Sequence, residues 1–191
     1  MQLNKIIIIF ISLLNSNNNL SSYRELVEIY KQNSIDTTLI NINEIIDNER
    51  NLATIGKDIY GRNVMMCNKS TYYWSLLDSA AKKNNIKLLI VSAYRSYSYQ
   101  ANIIKRKRDS GKTLAEILRE NELPGYSEHH SGRAIDLTND SIKTLSEDFK
   151  NTEEYKWLIN NAHLYNFYLT YPENNPYKKF EPWHWCYKEK N

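Results

Sequence analysis

Gly125-Tyr-Ser-Glu-His-His-Ser-Gly-Arg-Ala-Ile-Asp-Leu137 carries two of the chain's four histidines and an aspartate set among apolar residues, and the rest of the sequence is best read outward from it. Arg133 to Leu137 has the composition of a strand, so Ala134 and Asp136 share a face. Gly132 lets the preceding loop bend back, which brings His129 or His130 toward Asp136. An aspartate on a buried strand needs a partner. A metal ion is one candidate, and a salt bridge to Arg133 or Arg95 is another. A further histidine stands in Glu181-Pro-Trp-His184-Trp185. Pro182 cannot join a strand ladder, which leaves the Glu181 carboxylate free to project toward whatever His184 faces. A catalytic metal site needs three ligands drawn from His and carboxylate, an open position and a nearby base. The two segments contain that set, although spacing by itself leaves both readings of Asp136 open.

The flanking sequence points to an α+β fold. Ile86 to Val91 is an almost unbroken β-rich apolar run, which reads as a buried central strand. Short strands are expected at Thr38 to Ile42, Arg133 to Leu137, Phe167 to Tyr171 and Trp183 to Tyr187. Helices are expected at Tyr23 to Gln32 behind a serine cap, Tyr72 to Asn84, Tyr97 to Arg108, Thr113 to Arg119 and Glu153 to Leu164. Asp58-Ile-Tyr-Gly61 and Pro124-Gly125 mark turns. Strands that do not alternate regularly with helices argue for a small, mainly antiparallel sheet flanked by helices over a doubly wound one.

Composition limits the function classes. With 191 residues, 41% hydrophobic and 25% charged, the chain has the sequence of one ordinary domain, and one core is expected. At this size roughly 70% of the unfolded surface can be buried, so a metal would serve chemistry more than folding. A net charge of +3 is too mild for a nucleic-acid binder, and the run Lys105 to Arg108 reads as a solvated helix face. Two cysteines, Cys67 and Cys186, exclude a disulfide scaffold and a four-thiolate zinc site, and leave a bridge between them undecided. Ile6 to Leu14 follows Lys5 and precedes an Asn-rich stretch, which outlines a secretory signal peptide or an N-terminal anchor over residues 1–20. Residues 21–191 are then one domain. No His-Glu-x-x-His helix, Gly-x-Ser-x-Gly elbow, P-loop or dinucleotide fingerprint occurs. His163, within an expected helix, reads as a structural or surface residue.

Three segments together carry a specific resemblance. Ser127-Glu-His129-His-Ser-Gly132-Arg-Ala134-Ile-Asp136 is similar to the Ser-x-His-x-x-Gly-x-Ala-x-Asp pattern of the VanY-type D-alanyl-D-alanine carboxypeptidases. Glu181-Pro-Trp-His184 resembles their Glu-x-x-His ending, and Val91-Ser-Ala-Tyr-Arg95-Ser-Tyr-Ser-Tyr-Gln100 resembles a third stretch built around an arginine and a glutamine. The order and spacings agree from about residue 50 to 188. The resemblance implies a hedgehog/D,D-peptidase fold and a zinc peptidase acting on peptidoglycan stem peptides. It implies one Zn2+ held by His129, Asp136 and His184, with Glu181 as general base. Arg95 would meet the carbonyl oxygen or the terminal carboxylate of the substrate, and Gln100 and Ser127 would contact the peptide. His130 falls at an open position of the pattern and reads as a neighbour of the ligands or a substrate-facing side chain.

The expected activity is removal of the terminal D-alanine from D-Ala-D-Ala stems by an extracytoplasmic monomer without nucleic-acid partners. An L,D-carboxypeptidase or a peptidoglycan endopeptidase with the same zinc site is the alternative within enzymes. A zinc-containing wall-binding module without turnover is the alternative outside them, although a base at Glu181 would have no use there.

Overall fold

Alternation and capping put the secondary structure near where the sequence predicts it, in a computed structural model that describes residues 20–176 and 178–189. The expected signal or anchor over residues 1–20 lies, apart from Leu20, outside the described residues. Among the described residues, no helix is long and apolar enough to cross a membrane. The described residues divide into two compact units, those up to residue 48 with 96–127 and residues 49–95 with those from 128 onward.

The first unit is helical. Helix α1 covers residues 20–32, α3 covers Tyr97–Asp109 and α4 covers Leu114–Leu118. Ser96 caps α3 through the amide of Tyr99, and Thr113 with Glu116 forms a capping box on α4. Leu26, Ile29 and Tyr30 of α1 pack with Tyr97, Ala101 and Ile104 of α3 and Ile117 of α4 in one buried cluster. The strand expected at Thr38 to Ile42 is replaced by two 3-10 turns, Thr37–Leu39 and Ile42–Glu44. Asp36 and Asn41 each accept a hydrogen bond from the backbone amide two residues on, and such local bonds compete with a strand ladder. The Lys105 to Arg108 run is a solvated, paired face, with Lys105 bound to Asp109, Lys107 to Glu120, and Arg108 to the carbonyls of Asn33 and Ser34.

The second unit holds both sheets. Strands β1 (Leu52–Lys57) and β2 (Asn63–Cys67) form an antiparallel hairpin around the Asp58–Gly61 turn, a pair of strands that the sequence reading missed. The main sheet is antiparallel throughout, in the order β3 (Leu89–Ser92), β4 (Ala134–Thr138), β6 (His184–Tyr187), β5 (Phe167–Leu169). Helices α2 (Asn68–Lys83) and α5 (Glu153–Asn161) accompany it. Ile90, Ile135, Leu137, Trp185 and Tyr187 from the strands pack with Trp74, Leu77 and Ala81 of α2 and Leu158 of α5. Both the α+β class and the antiparallel sheet match the sequence reading. Where length led us to expect one core, the buried apolar residues form two clusters, one in each unit.

Candidate active site

The sheet register creates the centre of the site. Asp136 on β4 and His184 on β6 are direct cross-strand partners. The amides of Leu137 and Tyr187 donate to the carbonyls of Trp183 and Arg133. These bonds belong to the neighbouring residue pairs, so Asp136 and His184 form a non-hydrogen-bonded pair, the kind in which side chains approach most closely. Two groups 48 residues apart in sequence thus meet, and His184 Nδ1 lies 2.9 Å from Asp136 Oδ1.

His129 arrives from the 3-10 turn Glu128–Ser131, which leads into β4 through Gly132. Gly132 has φ +65, and a Cβ there would lie 2.7 Å from the backbone nitrogen of Cys67, whose amide donates to the Gly132 carbonyl. Only glycine satisfies both conditions. The turn is also stapled to the segment after β3. His129 Nδ1–H donates to the Ala93 carbonyl (2.6 Å), His130 Nδ1–H donates to the Arg95 carbonyl (2.6 Å), and the Arg95 amide donates to the His129 carbonyl.

Because a carbonyl can only accept, the bond to Ala93 puts the neutral His129 proton on Nδ1 and leaves Nε2 as a bare lone pair. Burial and the nearby Arg95 charge push the imidazole pKa down to about 4, so this form holds at neutral pH. Nε2 has no hydrogen-bond partner and faces Asp136 Oδ2 at 3.2 Å. Burial works against the Asp136 charge, but His129 and His184 hold its carboxyl well below the usual range. A buried lone pair turned on a buried carboxylate lacks only a cation between them, and this orphaned nitrogen is the structural sign that a metal fits. His129, Asp136 and His184, all buried, can each offer one ligand atom within 4.8 Å of the others.

Glu181 lies at a turn before β6, with its amide donating to the Tyr171 carbonyl and its carbonyl accepting from the His184 amide. That turn brings Glu181 Oε2 to 4.0 Å from His184 Nδ1. Burial raises the Glu181 pKa to about 7; the His184 charge opposes the rise and Asp136 adds to it. The Arg95 guanidinium lies 3.6 Å from Asp136 Oδ2.

Glu128 belongs to this cluster, and the sequence reading passed over it. Its Oε2 lies 3.0 Å from His184 Nε2, on the opposite side of the ring from Asp136. The available signal was a carboxylate adjacent to a candidate ligand histidine. His184 is enclosed by two carboxylates, and although burial disfavours its charge, the bonds to Asp136 and Glu128 raise its pKa to about 9. His130, read as a ligand neighbour or substrate-facing group, is fully buried, and burial pushes its pKa down to about 3; it braces the Arg95 backbone. Cys67 and Cys186 are both free thiols. Burial and the Glu128 charge keep the Cys186 thiol protonated, which disfavours it as a ligand. Gln100 and Ser127 belong to the first unit, where the Gln100 amide donates to the Glu122 carbonyl and Ser127 is buried. His163 is exposed.

The family model of VanY, the D-alanyl-D-alanine carboxypeptidases, matches residues 64–190. The chain belongs to the VanY family. The VanY match contains Arg95, Glu128, His129, Asp136, Glu181 and His184. YodJ of Bacillus subtilis is 36% identical over 118 residues, which cover 56% of this chain and 41% of YodJ. A D-alanyl-D-alanine carboxypeptidase of Enterococcus faecalis is 31% identical over 129 residues, covering 62% of this chain and 46% of the relative. This VanY-family chain therefore spans less than half the length of either curated relative. Among solved structures it is similar to the LdcB LD-carboxypeptidase, studied for peptidoglycan recognition, with a TM-score of 0.65 and 29% identity over 73% of this chain and 69% of that one.

Proposed function

We propose that the protein is a zinc-dependent carboxypeptidase that hydrolyses the terminal D-Ala-D-Ala bond of peptidoglycan stem peptides. The observation that carries this reading is the Glu181 carboxylate, 4.0 Å from His184 Nδ1, beside the buried His129, Asp136 and His184 cluster. These three residues would hold the ion, which when bound activates water and polarises the scissile carbonyl. Glu181 takes a proton from the attacking water and passes it to the departing amine, a task suited to a carboxylate beside the ligand cluster. Arg95 presents a planar fork to the carbonyl oxygen or to the free carboxylate of the substrate. Because His129 and His130 brace the Ala93 to Arg95 backbone, that segment needs little rearrangement as charge develops. Gln100 and Ser127 are proposed as peptide contacts on the family pattern alone. A cell-wall substrate implies action outside the cytoplasm, and a signal or anchor in residues 1–20 would serve it. His129, Asp136 and His184 come from one copy of the chain, so the proposed site needs no partner subunit, and the enzyme is proposed as a monomer.

The likeness to LdcB favours a second reading, in which the same site removes D-alanine from a tetrapeptide stem. Hydrolysis of defined stems by zinc-loaded wild type and Glu181→Gln, with bound metal quantified, separates the two. Release of D-alanine from the pentapeptide, with Glu181→Gln keeping its zinc and losing about 10²- to 10⁴-fold in rate, is the expected result. Cleavage of the tetrapeptide alone selects the second reading. If zinc binds and neither stem nor a cross-linked muropeptide is cut, the hydrolase reading fails in favour of a wall-binding module.

A further inference from the structure

We propose that Glu128 is the positioning residue of the metal centre: its carboxylate accepts the Nε2–H of His184 and holds that imidazole in the tautomer that presents Nδ1 to the ion. The inference rests on the metal-peptidase reading and concerns a residue that neither the ligand pattern nor the base requires.

Three geometric facts lead to it. His184 Nδ1 is the nitrogen on the ligand side, 2.9 Å from Asp136 Oδ1 and 4.0 Å from Glu181 Oε2. His184 Nε2 is directed elsewhere, to Glu128 Oε2 at 3.0 Å. The ring is buried, packs against His129 and Tyr171, and has Glu128 as the acceptor at Nε2. The two nitrogens of one imidazole diverge, so a carboxylate bound to Nε2 is not also a ligand of the ion on Nδ1, and Glu128 falls outside the three-residue group that can hold a metal. It is equally unsuited to act as the base, because its oxygen is engaged on the far side of the ring from Glu181.

What remains is the task that outer carboxylates perform at histidine metal sites: they fix the tautomer, hold the ring plane and make the ligating nitrogen more basic. The two histidines then receive matched treatment from different acceptors. His129 Nδ1–H is fixed by the Ala93 carbonyl and leaves Nε2 for the ion; His184 Nε2–H is fixed by Glu128 and leaves Nδ1. A backbone carbonyl serves the first because the turn is stapled to the segment after β3, whereas a charged side chain serves the second.

The test is zinc affinity, measured by competition with a chromophoric chelator at fixed pH and ionic strength for wild type, Glu128→Ala and Glu128→Gln, alongside the melting temperature of each metal-free protein. Loss of the outer carboxylate should weaken zinc binding about 10- to 100-fold in Glu128→Ala. Glu128→Gln should recover part of the loss, because its amide oxygen still accepts from Nε2–H. A two-bond 1H–15N spectrum of the zinc-loaded wild type should show His184 protonated at Nε2 and metal-bound at Nδ1, a readout that needs no variant to fold. Wild-type affinity in a folded Glu128→Ala, or a His184 protonated at Nδ1, overturns the inference. A wild-type protein that takes up no zinc removes the metal reading itself and this inference with it, and that failure is told apart by appearing before any substitution is made.

Discussion

Arg95 and Asp58 show how much one side chain's surroundings determine what its charge does. Arg95 is largely buried beside Asp136, and its backbone is bound on both sides by the 129–130 segment. Arg95→Lys keeps the charge and loses the planar fork, so kcat/KM on a stem peptide should fall about 10- to 100-fold, equivalent to about 1.5–3 kcal/mol for a charge-assisted hydrogen bond. Zinc content should be unchanged, which steady-state kinetics with metal analysis will check. Asp58 is 1% exposed in its side chain and far from that chemistry in role. It accepts from the amides of Tyr60 and Arg62 and from the Arg62 guanidinium in the hairpin turn. Burial works against its charge, but these donors outweigh it and hold the carboxyl below its usual range. A depressed folded pKa means that the stabilisation is complete above the unfolded value of about 3.9 and is lost as pH falls through the folded value. Asp58→Asn should therefore cost about 1–3 kcal/mol near neutrality. The gap in melting temperature from wild type should close as the pH is lowered below 4.

At the scale of elements, the turn before β4 and the β4–β6 pairing decide whether the candidate ligands meet. Gly132 carries both a left-handed backbone and the close approach of Cys67. Gly132→Ala should destabilise the protein by at least about 1–3 kcal/mol for the backbone conformation alone. Because the same turn carries His129, zinc affinity should fall with stability, measured by chemical denaturation and by chelator competition. A one-residue slip in register would send Asp136 to the other face of the sheet. Trp185 and Tyr187, on the face opposite to His184, pack in the core with Ile135 and Leu137 and thereby hold the register that the site needs. The missed hairpin has an equally local cause: Leu52-Ala-Thr-Ile-Gly-Lys57 lacks clean alternation, and the pairing shifts register between Thr54 and Gly56.

For the whole molecule, each unit has its own buried cluster, and every candidate ligand lies in the unit formed by residues 49–95 and 128–191. Both clusters are built from apolar side chains and include none of the candidate ligands. Zinc should nonetheless stabilise the folded state by mass action, by about 2.7 kcal/mol at a concentration 100-fold above its dissociation constant, or roughly 5–10 °C in melting temperature. Calorimetry with and without a chelator checks the size of the shift. Hydrogen exchange should show the earliest gains of protection in β4 and β6.

By itself, the sequence determined the residue types of the site, their spacing, the helices around them and the α+β class, because these depend on local periodicity, capping and turn chemistry. Strand periodicity and the Gly132 bend left His129 and His130 both open as partners of Asp136, and only the family pattern pointed to His129. The tertiary structure decided that choice through two carbonyls, with His129 turned by Ala93 to aim its free nitrogen at Asp136 and His130 drawn to Arg95. It also decided which nitrogen of His184 faces Asp136, brought Glu128 to the other, and lifted Glu181 toward neutrality through burial. Tautomer, orientation and charge state depend on groups that meet only when strands far apart in sequence pair in one register.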